Sequence, residues 1–277
     1  MMSMMKMLVP PTLKRRLRAL REERRKRQLF GALAPLVPPV ERMYDGPPGL
    51  QEFKANGEEF LKIYRENCGL RPDERMLDIG CGTGRKTLPL TCYFDSRAVY
   101  EGLDITKQGV DWCREQITPR FPNFHFQRID VYNQLYNARG THCAAKYVFP
   151  FPDASFSFVT LGSVFTHMLP GDLENYLREV ARMLEVGGRC LISYFLLNEE
   201  SLRHVEAGEG TLDLKYEFEQ YRATSREVPE EAIAFDEVWV THLYRELGLE
   251  ITRLDYGSWC GRESYLSYQD LVLAVKT

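Results

Sequence analysis

Residues 75–84 read Arg-Met-Leu-Asp-Ile-Gly-Cys-Gly-Thr-Gly, and no other stretch narrows the possible folds as far. Met76, Leu77 and Ile79 form a short apolar run ahead of a turn, the pattern of a buried strand. Gly80, Gly82 and Gly84 follow at alternate positions. Glycine adopts positive φ and lets a ligand approach the backbone, so the chain turns sharply here. A helix is expected from about Arg85 to Tyr93, with its free N–H groups facing the turn. Strand, glycine turn and helix together predict a nucleotide-binding βα unit at the carboxyl edge of a sheet.

The glycine spacing discriminates between ligands. A dinucleotide fingerprint is G-x-G-x-x-G, whose third glycine allows close helix packing. Here the run is G-x-G-x-G, Arg85 stands where that last glycine would be, and Asp78 lies in the strand before the turn. The stretch resembles motif I of the class I S-adenosylmethionine (SAM) methyltransferases, of the type 11/12-like kind. The resemblance implies that Asp78, Gly80, Cys81, Gly82 and Gly84 hold the amino-acid half of SAM, with S-adenosylhomocysteine (SAH) left as product. It covers about residues 52–277 and rests as much on the order of later elements as on the turn.

Residues 53–68 carry Phe53, Phe60, Ile63 and Tyr64 on one helical face. In the resembled family such a helix often closes over the cofactor; packing against the core explains the face equally well. Residues 99–103 read as a second strand, with Asp104 at its tip. A carboxylate there can accept from both ribose hydroxyls, a geometry that serves SAM and NAD alike. Ile105 is assigned to the same nucleoside. A helix over 110–117 and a third strand over 124–129 follow, and Asp130 ends that strand. By the resemblance Asp130 and the backbone of Val131 meet the adenine amino edge; otherwise Asp130 caps a turn. His125 reads as structural.

Residues 132–152 exceed the usual length of a strand-to-helix connection. Tyr132, Tyr136 and Tyr147 in this loop either bind an acceptor or fill a core. Residues 156–161 form a fourth strand, with Ser157 where family members often carry an acid. The chain then passes the expected methyl donor, which places Ser163 and Phe165 beside the cofactor. His167 has an ordinary pKa of about 6.5 and is a candidate general base for an acceptor hydroxyl. The alternative is that it orients the loop.

Residues 172–185 form an amphipathic helix, which Gly187-Gly188 is expected to end. Residues 190–197 are continuously apolar, as buried parallel strands are. Residues 198–235 break the rhythm and read as a lid or acceptor-binding insert bearing Tyr216 and Tyr221, or as a surface excursion. A helix over 236–247 precedes two strands, 249–256 and 266–275, whose connecting loop carries Trp259 and Arg262 as candidate acceptor contacts. The predicted fold over residues 51–277 is α/β: a Rossmann-like, seven-stranded, mostly parallel sheet with an antiparallel last strand and helices on both faces.

Charge divides the chain. Residues 1–50 carry a net +7, so the remainder carries −10. Residues 14–27 are rich in arginine, with Leu13, Leu17 and Leu20 on one face, and Pro47-Pro48-Gly49 marks a linker. The first fifty residues therefore read as a basic arm, either a solvated helix or one that touches anionic lipid or a protein partner. No aromatic residues interleave its charges, so nucleic acid is not expected. Seven cysteines without a C-x-x-C pair argue against a disulfide framework or a zinc site. No apolar run approaches the ~18 residues of a membrane span, and no secretory signal is evident. The expected compartment is the cytoplasm, and peripheral membrane contact through the arm is the alternative to a solvated helix.

The leading expectation is methyl transfer from SAM to a small-molecule or glycan acceptor, with oxygen as the favoured atom. Residues 163–168 and Tyr268-Gln269-Asp270 are similar to bacterial methyltransferases associated with glycan and secondary-metabolite pathways. Two alternatives stay open: an NAD(P)-dependent oxidoreductase on a similar sheet, and a catalytically silent SAM-binding relative acting through a partner.

Overall fold

A computed structural model describes residues 11–277. Nine cations among residues 14–27 make α1 (Pro11–Phe30) a polar helix. Only its last turns meet the body, through buried Lys26 and half-buried Leu29 and Phe30. Two 3-10 turns, Gly31–Leu36 and Val40–Arg42, lead to α2 (Leu50–Glu66).

This segment corrects the expected boundary at residue 50. Leu36, Val37 and Met43 are buried with Leu50, Phe53 and Leu88 in one apolar cluster. The Trp112 indole N–H donates to the Leu36 carbonyl at 3.0 Å. The Pro47 carbonyl accepts at 3.1 Å from the buried Arg85 guanidinium, so the Pro-Pro-Gly stretch is a fixed turn rather than a linker. Burying one such apolar side chain contributes roughly 1.5–3 kcal/mol, and these side chains have only the domain to bury against. The domain therefore begins near residue 31, and residues 31–49 form a strap across it.

The main elements follow in order: β1 (Arg75–Ile79), α3 (Thr87–Tyr93), β2 (Val99–Asp104), α4 (Lys107–Gln116), β3 (Phe124–Arg128), β4 (Phe156–Leu161), α5 (Pro170–Met183) and β5 (Leu184–Tyr194). Then come β6 (Leu196–Leu197), α6 (Glu199–Ala207), β7 (Tyr216–Glu217), β8 (Tyr221–Ala223), β9 (Ile233–Asp236), α7 (Glu237–Glu246), β10 (Leu249–Asp255) and β11 (Asp270–Lys276). The sheet order is β10-β11-β5-β4-β1-β2-β3, with β11 antiparallel to both neighbours and the other pairs parallel, as expected. Side chains alternate across the sheet. Met76 and Phe158 pack toward α2 and α4, whereas Leu77 and Leu161 pack toward α5 and α7. Strand order reverses between β1 and β4, and a crevice for a ligand lies at the carboxyl ends of strands at such a switch point.

Several boundaries differ from expectation. α3 starts at Thr87, with Lys86 as its N-cap. α5 ends at Met183, and β5 begins with the next residue. Gly187, at φ +78°, lies where the pairing of β5 with β4 slips, so the glycine pair marks a bulge inside the strand and not a helix end. β11 starts at Asp270, four residues later than expected.

The insert builds a second sheet in the order β6-β9-β8-β7. A buried knot ties it to the main sheet. The Asp270 carboxylate accepts from the Trp259 indole (2.7 Å), Gly257 N (2.7 Å) and Leu196 N (2.6 Å), and it pairs with Arg262 at 3.3 Å. Arg262 reaches on to Glu200 at 2.8 Å. No described helix is long and apolar enough to cross a membrane.

Candidate active site

The glycine turn is fixed from the tip of β2. Gly80 N and Cys81 N donate to the Leu103 carbonyl at 2.7 and 3.0 Å. Gly82 N donates to Asp104 Oδ2 at 2.8 Å, and Thr106 N and Oγ1 donate to Asp104 Oδ1 at 2.7 and 2.6 Å. Burial pushes the Asp104 carboxyl up, and these bonds partly offset that. Gly82 is left-handed at φ +56°, and a Cβ there would meet the Asp45 carboxylate at 2.3 Å, so only glycine fits.

Asp78 faces the same crevice. Its Oδ2 accepts from the Tyr100 hydroxyl at 2.7 Å, but its buried Oδ1 has no partner. Burial raises its pKa to about 6, against the pull of Lys86 and Tyr100. An orphaned buried acceptor normally has an explanation; here a ligand's ammonium would supply the missing donor.

Sequence reasoning missed three residues around this turn. The Lys86 ammonium lies 4.6 Å from the Phe60 ring centroid and against Gly162, where a Cβ would come within 1.9 Å of Nζ. Burial lowers its pKa, and Asp78, Asp45 and Glu59 pull it back. Asp45 accepts from Thr83 N at 3.0 Å and Thr83 Oγ1 at 2.8 Å. Tyr44 hydrogen-bonds Thr106 through its hydroxyl. Arg85 anchors this part of the strap, held against the Phe53 ring at 5.0 Å. Asp45 and Tyr44 gave no signal because they belong to a segment read as linker; Lys86 gave one, a cation inside the motif itself.

The tip of β4 forms the other wall. Ser163 has φ +63°, an uncommon conformation for a residue with a side chain. Its N–H donates to Ser193 Oγ at 2.7 Å and its hydroxyl to Gln269 Oε1 at 2.9 Å. His167 Nδ1 lies 2.8 Å from the Glu230 carbonyl. A carbonyl only accepts, so Nδ1 carries the hydrogen and the lone pair is on Nε2. Burial lowers the His167 pKa, which keeps the ring neutral at pH 7. The Tyr136 ring meets it edge-on at 5.3 Å, and Asn133 Nδ2 donates to the His167 carbonyl at 2.9 Å. Burial raises the Tyr136 pKa, and the Asp104 and Asp45 charges add to that.

Other candidates lie elsewhere. Phe165 is fully buried against Tyr194, at 5.4 Å, so it supports the wall from behind instead of facing a cofactor. The Cys81 thiol is buried and its pKa pushed well up, which makes it packing; its backbone still shapes the turn. Asp130 engages Arg128 (3.0 Å), Asn137 (3.3 Å) and Thr141 (2.7 Å) of its own loop. Val131 is buried and Ile105 packs on the core. Tyr132 is exposed. Tyr221 stacks on Phe218 at 4.4 Å in the small sheet, where Tyr216 also lies. Trp259 and Arg262 are committed to the Asp270 knot, which corrects their expected role as acceptor contacts.

Residues 77–192 match the family model described as a methyltransferase domain. The domain over these residues is of the class I SAM-dependent methyltransferase type. SAM is the cofactor of this methyltransferase family, and the orphaned Asp78 oxygen, the Lys86 ammonium and the Asp104 carboxylate suit a zwitterionic amino acid joined to a ribose. The chain is 32% identical over 122 residues to O-methyltransferase cnsE of Penicillium expansum, covering 43% of this chain and 37% of that protein. It is 27% identical over 165 residues to 27-O-demethylrifamycin SV methyltransferase of Amycolatopsis mediterranei (strain S699), covering 57% and 54%. The matches thus span about half or less of these relatives' lengths. A solved SAM-dependent methyltransferase from Methanosarcina mazei shares the fold, with TM-score 0.51 and 21% identity over 76% of this chain and 95% of that one.

Proposed function

We propose that this chain methylates an oxygen of a small-molecule or glycan acceptor, with His167 as general base. The observation that carries the proposal is the His167 tautomer: Nδ1 donates to the Glu230 carbonyl, so the neutral ring carries its lone pair on Nε2, just beyond the tip of β4. Bound SAM supplies an activated methyl on a sulfonium, so the protein's tasks are alignment and proton removal. Asp78 Oδ1 accepts from the donor's ammonium, and the Asp104 carboxylate turns to the ribose. His167 Nε2 takes the acceptor's hydroxyl proton as the new oxygen–carbon bond forms, and the Glu230 carbonyl stabilises the resulting imidazolium through Nδ1–H. Tyr136, edge-on to His167, walls the acceptor side. Two of the relatives, O-methyltransferase cnsE and 27-O-demethylrifamycin SV methyltransferase, carry names that support an oxygen acceptor. We also infer that α1 is a contact element, for an anionic membrane or a protein partner, since most of it stands clear of the body.

The test is calorimetry with SAH and NADH, followed by turnover of a hydroxylated acceptor panel. SAH binding without NADH binding is expected; NADH binding alone would replace the reading with an oxidoreductase. His167→Ala should lower turnover by about 10²–10⁴ with SAH affinity unchanged. Full activity in that variant would discard the base.

A further inference from the structure

α1 has two opposite faces. Glu22, Lys26 and Leu29 recur at i, i+4 and i+7, so they share one side of the helix, and that side meets the body. Lys26 is 3% exposed, Glu22 accepts from Val40 N at 3.1 Å, and Leu29 packs on the strap's apolar cluster. Leu13, Leu17 and Leu20 repeat the same spacing on the far side, 46%, 42% and 67% exposed. Arg24 and Arg27 continue that outer stripe, and Arg16 and Arg21 flank it, all exposed. Both acids of the helix are drawn to Lys26, Glu22 and Glu23 each at 3.4 Å. The outward face is therefore leucine set among arginines.

We propose that α1 docks the protein on an anionic lipid bilayer. Leu13, Leu17 and Leu20 enter the boundary between headgroups and acyl chains, and the surrounding arginines reach lipid phosphates while their stems stay in the apolar layer. This deepens the reading of α1 as a contact element and does not depend on methyl transfer. Charge complementarity favours a bilayer. The outward cations match an anionic surface, and the net −10 of residues 51–277 repels the same surface, which confines contact to α1. Nucleic acid would use the arginines but gain nothing from three exposed leucines, and the helix offers no aromatic ring to stack among its cations. Arg27 lies only four residues before the strap begins at Gly31, so the docked helix would hold the strap near the membrane.

The test is flotation of the full chain with vesicles of phosphatidylcholine alone and of phosphatidylcholine mixed with phosphatidylglycerol. Binding to the mixed vesicles is expected to exceed binding to the neutral ones by about tenfold or more and to fall with added salt. Replacing Leu13, Leu17 and Leu20 together by Ser should abolish most of it, as should Arg16→Gln, Arg21→Gln and Arg24→Gln combined. SAH affinity measured on the same samples should be unchanged, which separates failure of docking from failure of the methyltransferase reading. Equal binding to both vesicle types, undiminished binding of the serine variant, or capture of duplex DNA or RNA in place of vesicles would each overturn the proposal.

Discussion

Asp78 Oδ1 and Lys86 Nζ are opposite charges on one crevice; the carboxylate oxygen has no hydrogen-bond partner, and the ammonium rests over the Phe60 ring. A ligand carrying both an ammonium and a carboxylate would satisfy the pair. Lys86→Met should weaken SAH binding by about tenfold or more, the value of one charge-assisted hydrogen bond. Binding of 5′-methylthioadenosine, which lacks the amino-acid end, should not change. Equal effects on both ligands would show that the lysine only props the turn. The pH dependence has a definite sign. Asp78 has a pKa of about 6, so protonation as pH falls through that value removes the acceptor, and SAH affinity should drop. Asp78→Asn should flatten this profile. The proposed base role of His167 requires the neutral ring, so turnover should fall on the acid side, below the ordinary histidine range because burial lowers its pKa. Asp78, Asp104 and the glycines were legible because spacing encodes them. The His167 tautomer was not, because the Glu230 carbonyl that sets it comes from the insert, 63 residues away.

At the scale of elements, the strap is the part that the sequence hid. A stretch punctuated by prolines reads as linker because proline blocks regular hydrogen bonding, yet 3-10 turns and apolar contacts serve Leu36, Val37 and Met43 without a ladder. Removing residues 1–20 should leave melting temperature and SAH affinity unchanged. Removing residues 1–45 should lower both, since it strips Tyr44 and Asp45 from the turn and uncovers Leu50, Phe53 and Leu88. Calorimetry and a thermal melt on both truncations check this. The sheet itself was legible: period, length and order of the apolar runs gave all seven strands. Helix and strand ends were less so, because α5 passes directly into β5 without the glycine stop that the sequence suggested.

Across the whole molecule, the two sheets meet at Asp270. Its carboxylate serves three donors and a guanidinium, so Asp270→Asn leaves buried donors unmatched and should destabilise the fold by about 3 kcal/mol, read as a fall in melting temperature. Burial raises the Asp270 pKa to about 6, above its ordinary value of 3.8. The folded state therefore binds the proton more tightly than the unfolded chain, and this group's contribution to stability declines as pH rises from about 4 to about 6. Trp259 and Arg262 drew notice in the sequence as a rare ring and a charge in a loop, the same signals a substrate contact would give. Only the fold shows that Asp270 takes them.

Ser163 sits in a left-handed backbone state, clamped by Ser193 on one side and Gln269 on the other. The chain's own hydrogen bonds hold that distortion, so this stretch of the crevice is cast by the fold itself, and replacing either clamp should loosen β4's tip from β5 and β11.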